Sequence, residues 1–227
     1  VDLKQGRVIG DDELKEGYPA RQPYGEWLDQ GLVRLRELPI PNKRVERHGR
    51  QELRRLQKAF GYTYEDVRDT ILPMAATGAE PTAAMGVDIP LAVLDDKDRP
   101  LSHYFKQLFA QVTNPPIDAI REEIVTDTAV YVADDGNLLQ ERPENCRVLE
   151  IRNPILTSTD LMKIRAMDAP GFRTATVSIL YYKNTPLDRA LDRLAVGVDR
   201  AWREGANIII LSDRGVDENH VAIPSLL

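Results

Sequence analysis

TATVSILYYKNTPLDRALDRLAVGVDRAWREGANIIILSDRG, residues 174–215, decides the fold class. Thr174 to Leu180 is rich in β-branched residues and suits a strand, and Asn207 to Leu211 is a second apolar run of strand length. Between them, Leu187, Leu191, Leu194, Val198 and Trp202 recur at the steps that put one apolar stripe on a helix from Leu187 to Trp202, with Gly205 as its stop. Strand, helix and strand in that order predict a βαβ unit with parallel strands and a right-handed crossover. The expected class is α/β, built of βα units around a mostly parallel sheet.

The second strand runs into Ser212-Asp213-Arg214-Gly215. Open α/β sheets and βα barrels place ligands beyond the carboxyl ends of their strands, so Ser212, Asp213 and Arg214 form a candidate site for a stand-alone ligand-binding or enzyme domain. Turn chemistry explains the same residues: Ser and Asp bond to nearby backbone, and Gly215 admits positive φ. With no second catalytic constellation beside them, the turn is the preferred reading.

Upstream, Thr157-Ser158-Thr159-Asp160 has the spacing of a helix start leading into Leu161, Ile164 and Met167. Val148 to Ile151 and Val130 to Ala133 are short strand candidates, the latter followed by a turn at Asp134-Asp135-Gly136-Asn137. Pro90 to Leu94, apolar and bounded by turn residues, predicts a buried strand. Ser102 is placed to cap a helix carrying Tyr104, Phe105, Leu108, Phe109 and Val112, which ends at Asn114-Pro115-Pro116; a further helix follows through Ile117, Ile120 and Ile124. Gln51 to Phe60 predicts a helix stopped by Gly61. Thr63 with Asp66 caps the next one, Tyr64 to Thr77, which Pro73 should kink or divide and Gly78 close.

Residues 1–42 read as an arm, because Pro19, Pro23, Pro39 and Pro41 interrupt any long element; one short helix from Tyr24 to Leu32 fits inside it. Residues 43–227 form the remaining domain. The run Lys43 to Arg55 is strongly basic and reads as a solvated linker entering a helix, with a basic patch for an acidic partner as the alternative.

Thirty Lys and Arg against 36 Asp and Glu give the 227-residue chain a formal charge of −6, which argues against nucleic acid as a partner. No apolar stretch approaches the ~20 residues of a membrane span. A lone cysteine, Cys146, forms no intrachain disulfide, and its neighbours Glu144 and Glu150 disfavour a thiolate. His48, His103 and His220 show no paired metal-ligand spacing, and Gly-rich phosphate loops are absent. The adjacent carboxylates of Glu122 and Glu123 point different ways on a helix. Neither metal, cofactor nor catalytic residues are therefore expected in this chain.

Three longer runs carry more information: Met74-Ala75-Ala76-Thr77-Gly78-Ala79-Glu80-Pro81; Met85-Gly86-Val87-Asp88-Ile89-Pro90-Leu91-Ala92-Val93-Leu94; and Tyr104-Phe105-Lys106-Gln107-Leu108-Phe109-Ala110-Gln111-Val112-Thr113-Asn114-Pro115-Pro116-Ile117-Asp118. They resemble the central domain of glutamate synthase. The likeness extends through Asp135-Gly136-Asn137-Leu138-Leu139, Pro154-Ile155-Leu156-Thr157 and Leu211 to Val216, covering residues 51–227. Gly6-Arg7-Val8-Ile9 and Pro23 to Leu28 resemble the exit of the family's glutaminase domain.

That resemblance implies a parent enzyme, an oxidoreductase acting on CH-NH2 donors, in ammonia assimilation and glutamate biosynthesis. It would release ammonia from glutamine in a glutaminase domain and pass it internally to 2-oxoglutarate at an FMN site. A three-iron sulfur cluster, and electrons from a small reductase subunit or ferredoxin, belong to the same picture. The family's nucleophilic cysteine, flavin site and cluster cysteines have no counterpart here, and the residues that select NADPH, NADH or ferredoxin are expected elsewhere. Since the family's domain continues beyond the Ser212-Asp213-Arg214 strand end, residues 43–227 are expected to be incomplete at their C-terminus. The segment's implied role is an interdomain scaffold beside the glutaminase and FMN-binding domains, in the bacterial cytoplasm or in a plastid. Met85, Gly86, Val87, Asp88 and Ile89 are singled out as an interdomain or ammonia-passage loop, because Gly86 lets another backbone approach closely; plain packing of Ile89 beside Leu91 and Val93 is the alternative, and the preferred one. Exposure of faces that neighbouring domains normally cover would instead make the chain behave as a protein-interaction module.

Overall fold

The computed structural model describes residues 1–45, 47–82, 89–105, 119–132, 136–137 and 139–227. In chain order the α-helices and strands are α1 Asp11–Gly17, α2 Tyr24–Gly31, β1 Val33–Arg34, α3 Arg50–Ala59, α4 Leu72–Thr77, α5 Ala119–Val125, β2 Val130–Val132, β3 Leu149–Ile151, α6 Ser158–Arg165, β4 Thr174–Ser178, β5 Leu180–Tyr182, α7 Leu187–Arg203, β6 Ile208–Ser212 and β7 His220–Ala222. The class is mixed α/β with parallel strand pairs, as the sequence predicts. The βαβ order is present: β4 and β6 are neighbours flanking α7 in sequence. Ile208 N–H donates to Arg173 O at their starts and Ile179 N–H to Ser212 O at their ends, so the two strands run the same way.

The chain divides into two compact units, each described by itself. The first comprises residues 1–43, 127–177 and 197–210. Its sheet has the order β1-β3-β2, with Val33 beside Leu149 in a parallel pair and Val132 beside Leu149 in an antiparallel one. Leu149 is therefore central in the sheet, and its side chain is fully buried. Burying one such leucine contributes ~2–3 kcal/mol. Around it pack Leu35, Ile151, Ile164, Phe172 and Ile208. The proline-rich N-terminal stretch thus supplies β1 and the buried Leu35 to this core.

Helix α6 seats Ile164 in that core, and its start is the capping box read from the sequence. Thr157 Oγ1 accepts from Asp160 N–H at 3.1 Å and donates to Asp160 Oδ2 at 2.7 Å, while Thr157 N–H donates to the same carboxylate at 3.2 Å. One turn on, Lys163 is buried with its ammonium donating to Leu35 O at 3.4 Å.

The second unit comprises residues 44–126, 178–196 and 211–227. Helix α3 ends at Gly61, whose φ of +75° only glycine adopts freely. Thr63 and Asp66 then cap a helical stretch reciprocally. Residues Asp66–Ile71 wind as a π-helix in which Leu72 N–H reaches back to Val67 O, and Pro73 falls in the first turn of α4, where its missing N–H is not needed. This is how the predicted division by proline is realised, and Gly78 closes α4 at φ +69°. Strands β5 and β7 pair antiparallel, Tyr181 opposite Val221.

Three expectations are corrected. Pro90 to Leu94 is no buried strand: Ala92–Leu94 form a 3-10 turn closed by Leu94 N–H on Leu91 O, and Val93 is 87% exposed. An apolar run this short does not distinguish strand from turn, and Pro90 brings no ladder donor. Leu101–Tyr104 likewise form a 3-10 turn with Phe105 exposed; the expected helix positions from Lys106 to Val112, and the Asn114-Pro115-Pro116 break, lie outside the described residues. Trp202 is 66% exposed, whereas Ala190 and Ala201 are buried. The covered face of α7 turns on small residues: a Cβ on Gly197 would lie 3.3 Å from Val177 Cγ1, so helix and strand β4 approach closely there.

Candidate functional site

The strand-end residues form a local structure of their own in the second unit. At the end of β6, Ser212 Oγ accepts from Arg214 N–H at 3.4 Å, and beyond it Gly215 takes φ +99°. Asp213 and Arg214 are exposed, and among the described residues no histidine or carboxylate is hydrogen-bonded to Ser212 Oγ. A nucleophile needs a base within hydrogen-bond reach, so the geometry here is that of a turn.

What the sequence reading missed is the clasp that follows. The Asp217 carboxylate accepts from the backbone N–H groups of Asn219 and His220, each at 2.7 Å, and stands 3.0 Å from His220 Nδ1. The Asn219 N–H foremost, then the His220 ring and N–H, hold its pKa down at about 2. Lys183 fastens the other side, its N–H on Asn219 O and its ammonium on Glu218 O. An aspartate two residues before an asparagine is an Asx-turn signal that could have revealed it.

Next to the clasp is a cleft of about 620 Å³ with walls from Phe60, Gly61, Pro100, Ile179, Val216 and Ile223 and with Lys58, Asp98 and Asp213 at its edge. Gly61 lies so close to the Pro100 ring that a Cβ there would overlap it. The cleft has the volume of a small-molecule site but no paired nucleophile and base.

The remaining chemistry-bearing residues stay apart. Cys146 is half-buried at the end of a 3-10 turn, its carbonyl against Gly31. Among the described residues, His48 Nε2 and His103 Nδ1 are buried without a hydrogen-bond partner. Among the described residues no three His, Cys, Asp or Glu side chains gather as metal ligands, and no helix is long and apolar enough to cross a membrane. An iron–sulfur cluster needs several thiolates, and a chain with one cysteine does not fit it. Of the Met85 to Ile89 loop, Met85, Gly86, Val87 and Asp88 lie outside the described residues; Ile89 is half-buried in irregular backbone.

Comparison with known proteins places these observations. Residues 55–227 match the family model described as the glutamate synthase central domain. The chain is similar over its whole length to the glutamate synthase [NADPH] large chain of Bacillus subtilis, at 39% identity over 227 residues. It is 38% identical over 233 residues to ferredoxin-dependent glutamate synthase 2 of Synechocystis, and 36% over 234 residues to the chloroplastic ferredoxin-dependent glutamate synthase of Spinacia oleracea. In each case all of this chain is covered, but only 15%, 15% and 14% of the respective relative.

Proposed function

The chain belongs to the glutamate synthase central domain family, and on that premise we propose that it is the non-catalytic connecting domain of a glutamate synthase. In this reading it holds a glutaminase domain and an FMN-binding domain of the same polypeptide in register. The parent makes two glutamates from glutamine, 2-oxoglutarate and a reductant, with ammonia passing internally. The observation that carries the reading is the pattern of coverage: full length on this side, about 15% of the large chains on the other. Flavin, iron–sulfur cluster and electron donor are assigned to the rest of the parent, with a small reductase subunit or ferredoxin delivering electrons. The compartment is the bacterial cytoplasm or a plastid. The boundary between an arm at 1–42 and the domain at 43–227 is part of the same proposal.

Within it, the loop from Met85 to Ile89 faces the ammonia route or the adjacent catalytic domains. Gly86 permits the close approach of another backbone, and a wall of backbone polar groups guides ammonia without a catalytic side chain. Gly86→Val in the parent tests this, with glutamine hydrolysis and glutamate formation measured separately. Continued hydrolysis with ammonia released to solvent is expected. Unchanged coupling in a normally folded variant would leave the loop a packing role only.

A further inference from the structure

We infer that helix α3 docks its basic stripe on an acidic surface in another domain of the parent polypeptide. Arg50, Arg54 and Lys58 recur every four residues and so share one side of the helix, spanning about 12 Å along its axis. With Gln51 and Arg55 they line an open groove of about 580 Å³ that contains no carboxylate. Among the described residues no acid lies within ion-pair distance of Arg50, Arg54 or Lys58, and Arg55 meets only the exposed Glu218, at 3.4 Å. Like charges at four-residue spacing weaken a helix, so the stripe runs against the helix's own stability.

Charge distribution points the same way. Residues 43–58 hold seven Lys and Arg against Glu46 and Glu52, a net +5 in a chain of −6, leaving −11 on the remainder. An extended polyanion such as nucleic acid would be repelled by that remainder. A compact acidic patch, with carboxylates one helical turn apart, fits the stripe and touches little else.

Magnitude decides between a tethered and a free partner. An exposed ion pair changes an equilibrium constant by at most about fivefold, so three pairs give on the order of a hundredfold. Separate proteins need about a millionfold for a micromolar complex, whereas domains joined in one chain at roughly millimolar effective concentration need only about a thousandfold for half-occupancy, so the stripe comes within about tenfold of sufficing for a tethered partner alone. The partner is therefore covalently linked to this domain, an inference that rests on the connecting-domain reading above.

The test is zero-length carbodiimide crosslinking of the full-length parent, followed by peptide mapping. Lys58 is expected to join an Asp or Glu outside these 227 residues on the same polypeptide, with a several-fold lower yield at 0.5 M salt and in Arg50→Glu/Arg54→Glu. Lys58 crosslinks confined to this chain, formed to a separate electron-donor protein, or absent altogether would overturn the inference. Crosslinks from Lys4 or Lys15 to other domains would still support the connecting role if Lys58 failed, so the two failures are distinguishable.

Discussion

A Cβ on Gly31 would stand 2.6 Å from the carbonyl oxygen of Cys146 and 2.8 Å from its carbonyl carbon. The end of α2 therefore rests on the backbone leading into β3, and only a residue without a side chain allows it. Gly31→Ala should destabilise the fold by ~1–3 kcal/mol through overpacking. A urea midpoint equal to the wild type would show that the backbone yields without cost.

The Thr157 cap has a separable contribution. Its hydroxyl both accepts from Asp160 N–H and donates to the Asp160 carboxylate, holding that carboxyl below the usual range. Thr157→Ala should cost about 1 kcal/mol, seen as a fall in Tm of about 2–4 °C for a chain of this size. Thr157→Ser, which keeps the oxygen, should restore most of it; an equal loss in both variants would assign the effect to the methyl group instead.

The clasp at Asp217 has a pH signature. Its folded pKa is lowered from 3.8 to about 2, so its stabilisation is fully present above the unfolded value and fades as pH falls through about 2. Wild type and Asp217→Asn should differ in denaturation midpoint at pH 6 and converge near pH 2. A difference that persists or grows toward pH 2 would contradict the assignment.

Local signals were legible where they involve neighbours in sequence. The helix from Leu187, the reciprocal caps at Thr157 and Thr63 and the stops at Gly61 and Gly78 each follow from residues a few positions apart. Strand β1 is two residues long and owes its existence to β3, far along the chain, so no periodicity marks it. The spacing puts Trp202 on one stripe with Leu187, Leu191, Leu194 and Val198, but it reveals a face and not what covers it: those four are half-buried, Trp202 is exposed, and the fully covered positions are Ala190 and Ala201. The cleft beside Asp213 draws on Phe60, Pro100 and Val216, brought together by tertiary structure alone.

We propose that this domain connects active sites and itself contains none. The most direct test is an assay of the purified chain, shown folded by near-UV circular dichroism, for glutamine hydrolysis and for flavin and iron bound per chain. No turnover is expected, and neither flavin nor iron near one per chain. Stoichiometric flavin, or glutaminase turnover abolished by Cys146→Ser, would contradict the account.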